Sequence, residues 1–179
     1  MTPLAALPAF PLSVAAVNAL DDGTFVALFG DVAEHTPWVA EVAAAARPFA
    51  DREALIAGFA AALASASRSD QLALVRAHPD LAGKAAQAGA IAEDSKKEQA
   101  GAGLDRLDAE EFARFTELNG RYRDKFRFPF ILAVKGATKD TILASFAERV
   151  DNDPDSEFAN ALAQITRIFR FRLEDRVLP

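Results

Sequence analysis

The chain has 179 residues, the size of one ordinary domain, and its 51% hydrophobic and 26% charged residues are typical of a folded globular protein. Twenty basic and 26 acidic residues give a net charge of −6, which argues against nucleic-acid binding because phosphate contacts need a basic surface. The absence of cysteine excludes disulfides, thiolate nucleophiles and cysteine-based metal sites.

Neither end of the chain resembles a targeting signal. The first 13 residues contain three prolines and no Lys or Arg before their apolar stretch, unlike a signal peptide, and the final Arg-Val-Leu-Pro differs from a peroxisomal signal. No apolar run reaches 18 residues, so we expect no transmembrane helix and no membrane partner. These features predict a cytoplasmic protein.

The first half of the chain is rich in Ala, Leu, Glu and Arg and shows little alternation of β-branched residues, which predicts helices. The expected ranges are 13–20, 24–29, 37–46, 51–64 and a helix from 69 or 70 to 77 or 78. Thr36 is the expected cap of the third helix and Ser69 or Asp70 that of the fifth. Pro79 ends the fifth helix because the residue before a proline disfavours helical geometry.

In the second half, residues 80–92 form a looser stretch with Gly83 and Gly89. Further helices are predicted over 94–99, 108–126, from 138 or 139 to 150, and over 154–176. The apolar residues of 108–126 recur at helical spacing and make one face. Residues 128–134, Phe-Pro-Phe-Ile-Leu-Ala-Val, are apolar and interrupted by proline, which predicts an extended and buried segment. The sequence therefore predicts one all-α domain over 1–179, with roughly eight helices and this one Pro-broken connecting segment.

His78 is the first candidate for chemistry. It follows a predicted helix and precedes Pro79, which fixes the direction of the departing chain. A histidine held in this way is a common general acid or base. A purely structural role is equally compatible with the pattern, because a histidine can also bind the last carbonyls of a helix.

Ser95, Glu98 and Gln99 are spaced so that they share one helical face. Together they present a hydroxyl, a carboxylate and a carboxamide, a set able to bind a cyclic amide or urea. Ser-x-x-Glu is also the pattern of a capping box, in which both side chains bind the start of their own helix. The pattern alone favours the cap.

The segment 130–134 and Arg172 complete the candidates. The segment can line an apolar pocket and offer backbone N–H and C=O groups, although the pattern alone favours plain core packing. At ~100° per residue, Arg172 lies about 20° from Ile165 on the apolar stripe of the last helix, so we expect it to point inward. An inward arginine needs a carboxylate or carbonyl partner, from the protein or from a ligand.

Taken in order, these motifs resemble one family. The motifs are His-Pro-Asp-Leu-Ala-Gly at 78–83, Ser-x-x-Glu-Gln at 95–99 followed by Ala-Gly-Leu at 102–104, and Leu-Asn-x-x-Tyr-x-x-Lys-Phe-x-Phe-Pro-Phe-Ile at 118–131. They resemble the OHCU decarboxylases, which act on 2-oxo-4-hydroxy-4-carboxy-5-ureidoimidazoline in urate degradation. The resemblance extends from Phe25 to the Arg-Leu pair at 172–173.

The resemblance implies an all-helical homodimer without metal or cofactor that converts a small-molecule ureide to (S)-allantoin. The family's catalytic positions match His78 and Glu98. Its substrate contacts match Pro79, Ser95, Glu98, Gln99, Phe130, Ile131, Leu132, Ala133, Val134 and Arg172.

On this basis we expect His78 to transfer a proton, and Glu98 and Gln99 to bind the N–H and C=O edges of the substrate. The substrate carboxylate would face residues 130–134, and Arg172 would bind a ring or ureido carbonyl. Two other functions are compatible with the sequence. One is a helical interaction domain without catalysis, and the other is a cyclic-ureide hydrolase in which Glu98 and His78 activate water.

Overall fold

A computed structural model of the chain describes residues 7–179, apart from the side chains at positions 85 and 87. Over these residues the chain forms ten helices and no strand, so the all-α prediction is confirmed. The helices are α1 (Val14–Asn18), α2 (Asp22–Phe29), α3 (Trp38–Ala44), α4 (Arg52–Ser65), α5 (Arg68–Ala77), α6 (Lys84–Gln87), α7 (Glu93–Gly101), α8 (Ala109–Phe126), α9 (Lys139–Arg149) and α10 (Pro154–Arg176). In the described part of the chain, none is both long and apolar enough to cross a membrane.

Side chains cap the starts of several of these helices. The capping residues, each accepting a backbone N–H of the first turn, are Ser13, Asp21, Asp51, Asp108, Thr138 and Asp153. The predicted cap at Thr36 is wrong, because α3 begins after Pro37 without a side-chain cap. The Thr36 hydroxyl instead donates to the Glu34 carbonyl at 3.1 Å.

Two other boundaries differ from the sequence prediction. Helix α5 begins at Arg68, so Ser69 and Asp70 lie inside its first turn and neither precedes it as the cap. The stretch 80–92, predicted to be irregular, contains the four-residue helix α6. A helix of one turn is too short to produce a periodic apolar pattern, which is why sequence reasoning missed it.

The chain divides into two compact units, and the boundary at 167–168 lies within α10. The first unit comprises the described residues up to Ser67 together with 168–179, and here α3 packs against both α2 and α4. Phe59 of α4 meets Phe169 edge to face, with ring centroids 6.1 Å apart. The single domain over 1–179 stays a prediction.

The second unit, Arg68–Arg167, is centred on the apolar face of α8. Phe115, Leu118 and Tyr122 are buried on that face, as predicted. Helix α8 ends at the left-handed residue Arg127, and residues 128–134 continue without helix. The Phe130 ring stacks on Phe146 of α9 with centroids 3.9 Å apart, so the prediction of a buried, non-helical segment is confirmed.

A fully buried carboxylate, Glu157, lies in the first turn of α10. It accepts hydrogen bonds from Arg149 at 2.9 and 2.5 Å, from Tyr122 Oη at 2.5 Å and from Asn152 at 2.8 Å. Burial alone would raise the pKa of Glu157, but these hydrogen bonds and the Arg149 charge outweigh it and lower that pKa. Burial of the Tyr122 hydroxyl raises the pKa of Tyr122, and the hydrogen bond to the negatively charged Glu157 raises it further.

We predict that Glu157→Gln lowers the free energy of unfolding by about 3 kcal/mol at neutral pH, because it leaves the Arg149 charge buried without its partner. Folding lowers the pKa of Glu157, so its contribution is complete above the ordinary value of 4.5 and is lost as the pH falls through the lower, folded value. Urea unfolding of both proteins between pH 7 and pH 3.5 measures this. A stability difference that stays constant across the range contradicts the assignment.

Candidate active site

His78 is the first residue after α5 and is 6% exposed. Its Nδ1 lies 3.0 Å from the Leu74 carbonyl oxygen, one turn earlier in the chain. A carbonyl only accepts, so Nδ1 carries the hydrogen, and in the neutral ring Nε2 carries the lone pair. The bond to the helix end therefore fixes the ring and its tautomer, and it directs proton-transfer chemistry to Nε2.

The loop after His78 is held by side chains of two helices. Asn119 Nδ2 on α8 donates to the Leu81 carbonyl at 2.9 Å, and the Ala82 N–H donates to Gln99 Oε1 on α7, also at 2.9 Å. A third contact is the ion pair of Arg123 Nε with Asp80 at 2.8 Å. The backbone that leads away from His78 and Pro79 is thus anchored to α7 and α8.

Helix α7 places Ser95, Glu98 and Gln99 on one face. The capping-box interpretation is wrong, because α7 begins at Glu93 after Ala92 and has no side-chain cap. The helix is already formed two residues before Ser95, so that side chain is not needed at its start. Ser95 and Gln99 are 5% and 6% exposed and Glu98 is half-buried, so this face points toward the protein interior.

Neighbouring helices also hold the backbone of 130–134. The Ile131 carbonyl accepts from Arg149 Nη1 at 2.8 Å, and the Ala133 N–H donates to Gln164 Oε1 at 3.1 Å. The Arg149 guanidinium also lies over the Phe130 ring, 4.5 Å from its centroid. Leu132 is half-buried and the other four residues are buried. The Ala133 N–H is already bound to Gln164, so it does not donate to a ligand. Any hydrogen bond that residues 130–134 donate to a ligand must come from another of their N–H groups.

Arg172 points inward as predicted and is 3% exposed. Its Nη1 lies 3.2 Å from Glu34 Oε2 and 3.3 Å from the Val32 carbonyl oxygen. Glu34 is itself buried. The required anionic partner is therefore supplied by the protein, from a turn 138 residues earlier in the chain.

The second unit contains His78, Pro79, residues 95–99 and residues 130–134, and the first unit contains Arg172. Sequence reasoning missed the polar residues that hold these segments, namely Glu34, Asn119, Arg149 and Gln164. The sequence offered a clue only to Asn119, which is a polar residue next to Leu118 on the apolar face of α8. Among the described residues, no group of three or more His, Asp and Glu side chains is arranged to hold a metal ion.

Comparison with known proteins identifies the family. The sequence model of OHCU decarboxylase matches residues 18–174. The chain is 42% identical to 2-oxo-4-hydroxy-4-carboxy-5-ureidoimidazoline decarboxylase of Haloferax volcanii, covering 92% of this chain and 96% of that protein. It is 38% identical to the Mus musculus protein of the same name, covering 89% of each.

A solved structure agrees with the sequence relatives. The crystal structure of (S)-allantoin synthase matches with a TM-score of 0.76 and 31% identity, over 94% of this chain and 54% of that one. The crystal structure of an OHCU decarboxylase in the presence of (S)-allantoin has the same fold, with a TM-score of 0.65 and 21% identity over 86% of this chain and 96% of that one. The chain therefore belongs to the OHCU decarboxylase family.

Proposed function

We propose that this protein decarboxylates 2-oxo-4-hydroxy-4-carboxy-5-ureidoimidazoline to (S)-allantoin in urate degradation. The observation that carries the proposal is the match, over about nine-tenths of the chain, to decarboxylases of this name. The fixed ring of His78 supports it, because the reaction needs a proton delivered to one face of a carbon atom.

The names of substrate and product define the bonds that change. The substrate has a hydroxyl and a carboxylate on C4 and a double bond between C5 and N1. When the bond from C4 to the carboxylate breaks, its electron pair forms a C4–C5 double bond, and the electrons of the C5–N1 double bond move to N1, which takes up a proton. The hydroxyl at C4 then becomes a carbonyl and a proton is added to C5. One substrate anion and one proton thus yield CO₂ and allantoin.

His78 is the proposed proton-transfer group. The lone pair on Nε2 accepts the proton of the C4 hydroxyl, and the same nitrogen delivers a proton to C5. Its Nδ1–H remains on the Leu74 carbonyl throughout, which keeps the ring in place. Delivery from one fixed atom would explain the formation of a single allantoin enantiomer.

The substrate carboxylate is proposed to face residues 130–134. An ion pair to this carboxylate would stabilise the substrate more than the transition state, in which its charge is leaving, and would slow the reaction. Phe130, Ile131, Ala133 and Val134 are buried and apolar, and Leu132 is half-buried. An apolar wall of this kind favours release of neutral CO₂.

The remaining residues are proposed to bind the ring and the ureido group. Gln99 Oε1 already accepts from Ala82, so Gln99 offers its Nε2 hydrogens to a substrate carbonyl. Glu98 accepts from substrate N–H groups, and Ser95 and Pro79 complete the contacts. Arg172 is proposed to donate to a ring or ureido carbonyl, with its guanidinium oriented by Glu34.

We further propose that the protein needs no cofactor and forms a homodimer, as the family resemblance implies. A cytoplasmic location, predicted from the sequence features, is also part of the proposal. Activity after exhaustive dialysis against a chelator tests the first. Sedimentation equilibrium tests the assembly, and a monomer at micromolar concentration contradicts it.

The reaction is tested with substrate generated from urate by a urate oxidase and a hydroxyisourate hydrolase. Circular dichroism follows the formation of one allantoin enantiomer, and released CO₂ is measured in parallel. The proposal predicts one CO₂ per allantoin, formed faster than in the spontaneous racemic decay. A hydrolase would open the ring without releasing CO₂, and an interaction domain would change neither signal.

We predict that His78→Ala lowers kcat at least about 100-fold, the usual contribution of a general acid or base, while the far-ultraviolet dichroism is retained. His35→Asn is the matched control, because His35 is exposed and asparagine tolerates its positive φ of 50°. Its kcat should equal that of the wild type. Wild-type turnover by the His78 variant contradicts the assignment.

We predict that Glu98→Gln lowers kcat/KM about 10-fold or more, because a hydrogen bond to a charged acceptor is replaced by a neutral one. Glu93→Gln on the same helix is the control, since Glu93 is exposed and pairs only with Lys96 in α7. Steady-state kinetics of both variants measure the effect. Equal losses in the two variants would remove the proposed role of Glu98.

We predict that Arg172→Lys lowers both kcat/KM and the melting temperature, because an ammonium group cannot reproduce the planar guanidinium beside buried Glu34. Arg170→Lys is the control, because Arg170 is half-exposed on the same helix and its bonds to Glu53 are at the surface. Kinetics and thermal unfolding measure both proteins. A neutral Arg172→Lys substitution contradicts the assignment.

A further inference from the structure

We propose that Asn119 is a positioning residue for this active site. Together with Gln99 it fixes the orientation of the Leu81–Ala82 peptide, and through that peptide it fixes the loop after His78 and the direction of the Gln99 side chain. The inference rests on the proposed function for its effect on turnover, whereas its structural part is measurable without substrate.

The two contacts act on opposite sides of one peptide group. Asn119 donates to its oxygen, on Leu81, and Gln99 accepts from its N–H, on Ala82, each at 2.9 Å. A peptide group is planar and turns as one body, so any rotation of this group breaks both hydrogen bonds together. The two carboxamides come from α8 and α7, which makes the peptide a link between these helices.

The backbone at this peptide needs such support. Ala82 has a φ of 52°, in the left-handed region that residues with a Cβ rarely adopt. It is also 1% exposed, so water is not present to take over a lost hydrogen bond. Without the two carboxamides, rotation of the peptide would relieve the unfavourable φ and would move the chain that follows His78 and Pro79.

The buried Asn119 side chain carries a cost to stability. It is 8% exposed, and its Oδ1 is a buried acceptor that finds no hydrogen-bond partner within residues 7–179. A buried acceptor of this kind destabilises the folded state, which an apolar residue on the same helix face would avoid. The donation to Leu81 is the one hydrogen bond that the Asn119 side chain makes within residues 7–179, which assigns this side chain to the peptide.

The same peptide also orients the carboxamide of the Gln99 side chain. With Oε1 bound to the Ala82 N–H, the other end of the carboxamide is a donor, which suits a substrate carbonyl. Loss of the Asn119 contact would free the Leu81–Ala82 peptide to rotate and would release Gln99 Oε1. Gln99 could then turn its oxygen toward the substrate carbonyl, which is the unfavourable orientation.

The first arm of the test is hydrogen exchange, read by NMR on the full chain without ligand. In Asn119→Ala the Ala82 amide should exchange at least 10-fold faster than in the wild type, while the buried amides of α8, such as that of Leu118, keep their rates. Asn119→Leu, which fills the same space, should behave in the same way. An unchanged rate at Ala82, or an equal increase at all amides, overturns the proposal.

The second arm is turnover, with Gln99→Glu as the separating variant. Glutamate keeps the acceptor for the Ala82 N–H but loses the donor, so Ala82 should stay protected while kcat/KM falls about 10-fold. Asn119→Ala should lose both protection and at least 10-fold in kcat. Thr116→Ala, exposed one turn earlier on α8, should lose neither.

The two arms separate the two claims. Fast exchange at Ala82 with wild-type kcat in Asn119→Ala overturns the positioning role. Absence of decarboxylation by the wild-type protein itself overturns the proposed function, and the exchange arm then still decides whether Asn119 and Gln99 hold the peptide.

Discussion

Backbone polar groups in buried segments without secondary structure must find partners, and this constraint organises the second unit. The loop after His78 and the segment 128–134 cannot satisfy these groups within a helix or a sheet. Side chains of neighbouring helices satisfy them instead. Asn119 and Gln99 bind the loop, and Arg149 and Gln164 bind the segment. These four polar side chains thus hold two pieces of backbone that lie outside helices and sheets.

This arrangement also explains how a helical protein can hold the proposed proton-transfer group rigidly. His78 is fixed through Nδ1 by the end of its own helix, and the chain that follows is fixed by α7 and α8. Arg149 is oriented in turn by the buried Glu157, so its donation to Ile131 depends on an ionised carboxylate. Positions that are set before substrate arrives do not have to be reorganised during the reaction, which is the main advantage of a preorganised site.

Local sequence patterns predicted most of the helices, though not α6, and the inward direction of Arg172. The periodic apolar face of α8 and the break at Pro79 both depend on residues within one or two helical turns. The capping box at Ser95 was wrong because the same Ser-x-x-Glu pattern fits a helix start and a helix interior, and only the true beginning of α7 distinguishes them.

The partners of the candidate site could not be predicted in this way. Glu34 meets Arg172 across 138 residues of sequence, and Asn119 meets Leu81 across 38. Hydrogen bonds over such separations leave no periodic signal, because they depend on how the helices pack. The family resemblance predicted the positions of the proposed site, and the structure shows the contacts that these residues make.

The most direct test of a site at His78 is an NMR titration of the wild-type protein with (S)-allantoin. The chain has two histidines, so the exposed His35 serves as an internal reference for the buried His78. We predict that the imidazole signals of His78 shift progressively as the product binds, while those of His35 stay in place. Unchanged His78 signals at saturating (S)-allantoin would contradict it.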